Sequence, residues 1–473
     1  MALKGIIQYR AIFYTANVIV LFACLLFFFF SLVYDSCFYQ AISLPNDCCM
    51  SNFRIKLSLF LNYFVFAILL NSVGTVILQV QNNFGISKGS ASTLEAFKDL
   101  SIAITSFLIA SYVVRIGYKK TMLIALGLVS VMCLIMPSAG SFLMTKLLFA
   151  TVGVSFALIK VTVFATLSLV TKSKKEHLSL MNFLESFFMI GVLAGYFIFS
   201  SFVDNDNPKS TVWFNVYYIL SGLSMLAFLL LLSTKLDESS VKQAEQAEAK
   251  SLQDDFIGML RLIILPLVLI FIFCAFFYVL IEQSIMSWLP TFNNDVLKLS
   301  TSLSIQMASI MSASIALGRF LAGLILKKFD WLYVLVGCLI AAGGLVLLTV
   351  PLASNIAPTA VTKLSDIPLV AFAFPVIGLF LAPVYPAINS VILSNLPAHK
   401  HGSMSGLIVV FSALGGTTGS IITGHIFGAY GGQTAFYFSL IPIAILCVLL
   451  FIFKKLQPRS GSNVEIKIAG GGH

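Results

Sequence analysis

Apolar residues run along this chain in long blocks, not in the short alternations of a soluble fold. The blocks fall at about 57–80, 93–114, 119–138, 144–168, 178–202, 211–233, 257–289, 303–326, 331–352, 366–393, 403–427 and 433–453. Each approaches the roughly 20 apolar residues that a helix needs to cross a bilayer at about 1.5 Å per residue. Hydrocarbon offers no partner to an exposed N–H or C=O, so the blocks are read as helices, spans 1 to 12, of an all-α integral membrane protein. Polar punctuation separates them: Arg115 to Lys120, Lys172 to His177, Asp204 to Lys209, Lys327 to Asp330, Pro397 to Gly402. The longest hydrophilic stretch, Lys235 to Asp255, reads as a solvated linker between two sets of six. The expected organisation is a bundle over 51–234, a linker over 235–256, a second bundle over 257–455 and a tail over 456–473.

Composition agrees with that pattern. Of 473 residues, 59% are hydrophobic and 10% charged, against about 25% charged in soluble domains. The net charge of +10 does not indicate a nucleic-acid partner, because the basic residues occupy short loops between apolar runs. Nineteen Lys and Arg fall on the side of residues 51–56 and the linker; Lys88, Lys146, Lys209, Lys298 and Lys363 fall on the other. That asymmetry places both ends of the twelve-span unit in the cytoplasm of a multi-pass protein of the cell (inner) membrane. The first 50 residues break the rule. Their apolar segment 11–34 is long enough to span, but would put Lys4 and Arg10 outside. The expectation is an extension outside the working unit, with Met50 as a second candidate start; a thirteenth helix is the rival. Eight cysteines show no zinc spacing, and Cys133, Cys274, Cys338 and Cys447 read as packing residues.

The loop after span 2 reads Ala110-Ser-Tyr-Val-Val-Arg115-Ile-Gly117-Tyr-Lys119-Lys120; the loop after span 8 reads Gly323-Leu-Ile-Leu-Lys327-Lys328-Phe-Asp330. Small and basic residues at equivalent helix ends indicate a duplicated six-helix unit. The first loop resembles the Gly-x-x-x-Asp-Arg-x-Gly-Arg-Lys motif of the major facilitator superfamily, with Ala110 for the first Gly and Val114 for the Asp. Within that superfamily the chain is most similar to the fucose–galactose–proton symporters. Pro383-Val-Tyr385-Pro386-Ala-Ile-Asn389-Ser followed by Gly402-Ser403, Asn182-Phe-Leu-Glu185-Ser-Phe187, and Tyr278-Val-Leu-Ile-Glu282-Gln283 resemble that subfamily's Tyr/Phe-Pro-Thr-Ile-Phe-Ser…Gly-Ser, Asn-x-x-Gln-x-Phe and Tyr-Val-Gly-x-Gln. The resemblance implies a twelve-helix fold of two six-helix bundles related by a pseudo-two-fold. It also implies a central cavity lined by spans 1, 4, 7 and 10, flanked by 2, 5, 8 and 11, and alternating access. Asn71 matches a polar contact of that family. Where the family carries an Asp in helix 1 this chain has Gly74, and where it carries a Glu in helix 4 the nearest charge is Lys160.

Ionisable groups at membrane depth cost at least ~2.5–3.5 kcal/mol, so each is a functional candidate. Lys160 lies 14 residues after Lys146 and 12 before Lys172, near the bilayer midplane. Glu185, eight residues after His177, sits roughly 12 Å in on span 5. The expectation is a Lys160–Glu185 pair facing the cavity, with a static inter-helix pair as the plain alternative. Glu282, Gln283, Tyr385, Asn389 and Asn71 complete the expected substrate contacts, with Lys160 and Glu185. Arg319, Arg115 and Asp99 join Glu185 and Lys160 as coupling or gating candidates. Each has a bland reading: an interfacial cap for Glu282, an inter-helix bridge for Arg319, a solvated helix end for Glu95, Lys98 and Asp99, a packing histidine for His425. Trp288, close to Pro290, reads either as a sugar-stacking ring or as an interfacial anchor. Gly191-x-x-x-Gly195 and Gly415-Gly416-x-x-Gly419 permit close helix contact.

No phosphate-binding Gly-Lys-Ser/Thr loop, metal cluster or nucleophile–base set is present in the sequence, so no enzyme activity and no cofactor are expected. The reading is a monomeric secondary active transporter of a small polar solute, a sugar or sugar derivative with room for an acidic one, in symport with protons. An exporter of amphipathic compounds is the alternative.

Overall fold

The computed structural model describes residues 46–109, 113–171, 174–236, 238, 261–326, 328–354, 361–396 and 401–457. Most of the N-terminal extension (1–45), nearly all of the linker and the tail from 458 lie outside them. The described residues are helical almost throughout, with one isolated bridge between Leu299 and Val361. Span 1 is α1 (Asn46–Asn71) and α2 (Val73–Phe84), broken at Ser72; α3 (Lys88–Ala91) leads into span 2, α4 (Thr93–Ile109). The turn α5 (Val113–Ile116) precedes α6 (Tyr118–Ile135), α7 (Phe142–Val170), α8 (Lys174–Ser201) and α9 (Val216–Leu232), which are spans 3 to 6. Span 7 is α10 (Pro266–Met286) continued by α11 (Leu289–Asp295); α12 (Thr301–Ile325) and α13 (Trp331–Ser354) are spans 8 and 9. Span 10 is interrupted into α14 (Val370–Ala373), α15 (Ile377–Leu381) and α16 (Val384–Ser394) around Pro375, Pro383 and Pro386, as prolines demand. Spans 11 and 12 are α17 (His401–Tyr437), kinked at Gly431, and α18 (Leu440–Leu456).

Among the described residues, ten helical segments are long and apolar enough to cross a membrane. The other two expected spans are helices of 17 residues, α4 and α18, and α4 carries Glu95, Lys98 and Asp99. Inside the bundle, many Ser, Thr and Asn return to their own helix. Asn62 Nδ2 donates to Ser58 O at 2.7 Å and Thr166 Oγ1 to Thr162 O at 2.7 Å, so these buried donors stay satisfied without water. Gly117, at φ +95° between α5 and α6, supplies a backbone turn that a side chain would strain, which accounts for the glycine in the Arg115-Ile-Gly117 motif.

Packing follows the duplicated pattern. In the first half α1 packs on α8 and α4 on α7; in the second α10 packs on α17 and α12 on α15. The halves meet chiefly through two helix pairs, α4 with α17 and α8 with α12, with smaller contacts of α2 on α11 and α3 on α17. The two main pairs are spans 2–11 and 5–8, which a two-fold exchanging the halves converts into each other. Glycines obey the same operation. A Cβ on Gly191 (span 5) would lie 2.9 Å from Phe64 O of span 1. Likewise, a Cβ on Gly415 or Gly419 (span 11) would press on Phe276 O or Leu280 O of span 7. Gly415→Val should therefore cost at least the ~1–3 kcal/mol of overpacking. Thermal denaturation in detergent checks it, and an unshifted midpoint would contradict the packing.

One end of the bundle carries α3, residues 204–211 and residues 296–300, and is called here the loop end; the other carries the start of α1 and the end of α18. At the latter, Lys454 Nζ meets Asp330 Oδ2 at 2.8 Å, and the Leu332 N–H also donates to Asp330. The lysine, then the amide, hold the Asp330 carboxyl below the usual range. A carboxyl depressed on folding contributes stability above its unfolded pKa of about 3.9 and loses it as pH falls through the lower folded value. Both partners are more than a third exposed, so Asp330→Asn should cost under ~1 kcal/mol, undiminished from pH 8 down to 5 in thermal melts.

Candidate functional site

Glu185 and Met189 lie one turn apart on α8 and share a face. Met189 Sδ receives Arg319 Nη1 of α12 at 3.9 Å, so that face looks across to the second half. Glu185 is solvent-accessible, as is Lys160 on α7. Lys160 Nζ stands 5.8 Å from the centre of the Phe156 ring and within the field of Glu185. No ion pair joins the two among the described residues. This corrects the expected pair: both side chains are accessible and they interact through the field between them, not through an ion pair. Tyr63 of α1 also lies in the field of Glu185. It was absent from the sequence candidates because a tyrosine in an apolar run gives no signal of its own.

The second half answers with hydroxyls and a carboxylate. On α10 Tyr278 Oη donates to Glu282 Oε1 at 2.9 Å. Its ring stacks on Tyr385 of α16, centroids 5.4 Å apart and planes at 22°. Tyr385 Oη shares a 2.9 Å hydrogen bond with Ser412 Oγ of α17. Asn389, one turn on, sits against the Tyr385 hydroxyl, and its Oδ1 is enclosed without a well-formed hydrogen bond. Glu282 lies in the field of Arg319, whose side chain is exposed. Lys160, Glu185, Glu282 and Arg319, from spans 4, 5, 7 and 8, balance to zero net charge, and Arg319 against Met189 brings the two pairs toward each other.

Other candidates fall elsewhere. Asn71 Nδ2 donates to Ala67 O at 2.9 Å at the break between α1 and α2. Gly74 explains why no helix 1 carboxylate stands here: a Cβ would lie 2.8 Å from Ser287 O and 3.0 Å from its Cα, so no side chain fits. Trp288 is fully buried, its Nε1 donating to Ser420 O at 3.1 Å, and is a wedge between spans 7 and 11, neither a stacking ring nor an interfacial anchor. His425 Nδ1 shares 2.9 Å with Ile421 O of its own helix. Arg115 lies on α5; its side chain is outside the described residues.

The largest departure concerns span 2. Glu95, Lys98 and Asp99 are 0%, 5% and 8% exposed, so they are not a solvated helix end. Lys98 Nζ pairs with Glu95 Oε1 and, at 3.4 Å, with Asp99 Oδ1. Ser287 of span 7, in the other half, reaches Glu95 Oε2 at 2.9 Å and Gln283 Oε1 at 2.9 Å. Further cross-half contacts also lie at the loop end, among them Lys88 to Asp295 at 2.7 Å, Gln81 to Thr291 at 3.3 Å, Asn205 Oδ1 to the Ser302 N–H at 3.0 Å and Gln306 Nε2 to Ser200 Oγ at 3.2 Å. These contacts close the loop end.

The sequence profile of the Major Facilitator Superfamily matches residues 59–362 and 352–468. A TsgA homolog from Buchnera aphidicola subsp. Baizongia pistaciae (strain Bp) is 23% identical over 401 residues, 84% of this chain and 94% of that protein. Among solved structures, an inward-facing bacterial homolog of the human lysosomal transporter Spinster superimposes with a TM-score of 0.68 at 15% identity, covering 86% of this chain and 98% of its own. A D-xylose–proton symporter gives 0.66 at 14% identity (86% and 98%), and the transporter FucP in its outward conformation 0.56 at 16% (87% and 100%). The duplicated bundle, its two symmetric contacts between halves and the matched profile together make this chain a member of the major facilitator superfamily, a multi-pass membrane transporter.

Proposed function

We propose that the chain is a proton-coupled symporter of a small polar solute, a sugar or sugar derivative. It works as a monomer in the cell membrane with both ends of the twelve-span unit in the cytoplasm. The observation that carries this reading is the set of polar side chains that the two halves bring toward each other, read as the solute cleft. Half-buried Tyr385, its hydroxyl shared with Ser412, and half-buried Glu282 beside the accessible Arg319 supply the ring and the directional hydrogen bonds that a hydroxylated solute requires. Lys160 and Arg319, both accessible, give an acidic sugar two cationic partners. Closure at the loop end supports alternating access, with the halves rocking on the span 2–11 and 5–8 contacts. Asp99 and Arg115 serve as gating residues at opposite ends of span 2. Likeness to the xylose–proton symporter and the fucose–galactose–proton motifs of spans 5, 7 and 10 support the substrate class and the coupling.

The first test is a thermal-shift screen of sugars, sugar acids and amphipathic dyes on the purified protein. A ligand at 100 times its Kd stabilises by about 2.7 kcal/mol, a readily measured shift. Hits are then assayed for uptake into proteoliposomes under an imposed pH gradient. Accumulation of a sugar or sugar acid, collapsed by a protonophore, is expected. Binding and gradient-driven extrusion of amphipathic dyes alone would replace this reading with the exporter.

A further inference from the structure

The buried triad of span 2 holds more charge than its surroundings balance. Glu95, Lys98 and Asp99 lie on one face of α4 by their spacing of three and four residues. The second half closes over that face. Ser287, just past the end of α10, contacts Glu95, and Gly416 of α17 leaves room for Asp99, whose Oδ2 lies 2.6 Å from where a Cβ would stand. With all three groups ionised, the site encloses one uncompensated negative charge. An unpaired carboxylate out of water is costly enough that the group neutralises or the site opens.

The neighbours do not supply the missing charge. On α10, Glu282 lies in the field of Lys98 but also in that of Arg319, so that pair adds nothing net. On α3, Lys88 is engaged by Asp295 at 2.7 Å. On α7, Lys146 stands over the Phe97 and Phe142 rings, 5.6 and 4.5 Å from their centres. On α17, His425 is exposed and bonded to its own helix.

Ser287 ties the deficit to the contact between the halves. Its Oγ lies 2.9 Å from Glu95 Oε2 and from Gln283 Oε1, so the excess charge stands where the second half closes over the first. One proton taken up by the triad leaves Lys98 balancing a single negative charge, and the site is neutral.

We propose that the Glu95–Lys98–Asp99 triad is a proton-binding latch that lets the loop end close only after taking up one proton from the water on that side. When the end opens, water enters between α4 and α10, the proton leaves and both carboxylates are hydrated. Glu282, sharing the field of Lys98, connects the latch to the solute cleft. The inference uses the symporter reading for its physiological meaning, but its test needs no solute, so either can fail alone.

The test places spin labels at two exposed loop-end positions, Lys209→Cys in the first half and Lys363→Cys in the second, in a background without the native cysteines. Distance distributions are recorded in lipid nanodiscs from pH 5 to 9. The native triad is expected to give the short distance at low pH and a growing long-distance population as pH rises. Glu95→Gln, which cannot ionise, is expected to hold the short distance throughout; Asp99→Asn, which also removes the excess charge, is expected to do the same and stands in if Glu95→Gln does not fold. A pH-independent distribution in the native triad, or a native pH response in the variants, would overturn the latch.

Discussion

Lys98→Met should be among the most damaging single substitutions in this protein, costing about 3–5 kcal/mol, the penalty for removing one partner of a buried ion pair. Lys98 is 5% exposed and is the ammonium that pairs with both Glu95 and Asp99. Methionine keeps the bulk and flexibility of the stem and deletes the charge, so the loss reports electrostatics more than a cavity. Two buried carboxylates then face each other at the contact between halves. The destabilisation should ease as pH falls, since protonating them removes the repulsion. It should also be partly rescued by adding Glu95→Gln. Thermal melts of the single and double variants across pH decide the matter. A Lys98→Met protein as stable as the parent at pH 8 would show that the triad is hydrated after all.

What the sequence could and could not reveal divides along a physical line. Helices were legible because crossing lipid forces both length and apolarity, and every expected run holds a helix. The two-fold was legible in outline from the basic loops, and the Gly191/Gly195 and Gly415/Gly419 spacings carried more of it than their role as smooth surfaces suggested. What run lengths cannot encode is what stands opposite a helix end. Glu95, Lys98 and Asp99 sit at the start of span 2, where an isolated helix would meet headgroups and water. Burial there comes from α10 and α17, more than 150 residues away in the chain. The i, i+3, i+4 spacing was the available signal, and it announced a shared face but not a covered one. Trp288 failed for the same reason: a tryptophan beside a proline near a helix end looks interfacial until Ser420 is found against its indole N–H. Gly74 shows the converse. Its departure from the family pattern reads as a lost carboxylate, while the backbone of Ser287 against it shows that this crossing admits no side chain.

The cleft residues carry the second large effect. Lys160→Gln and Glu185→Gln should each weaken solute binding by roughly 10- to 150-fold, the value of about 1.5–3 kcal/mol for a hydrogen bond to a charged group, and should raise the apparent KM of uptake correspondingly. Stability should hardly change. Both side chains are accessible and no ion pair ties them together, so neither leaves a buried partner unpaired. A double-mutant cycle separates this from the static-pair alternative. If the two groups orient their helices, their coupling in thermal stability should be substantial and solute affinity largely spared. If they contact solute, the stability coupling should stay within the ~0.3–0.5 kcal/mol typical of non-interacting sites, while binding falls in both singles. Tyr385→Phe supplies the control in the other half. It removes the hydroxyl that Ser412 shares but keeps the ring stacked on Tyr278. A smaller loss is expected there, confined to solutes with a hydroxyl in reach. Equal losses for hydroxylated and dehydroxylated analogues would place the solute away from this half of the cleft.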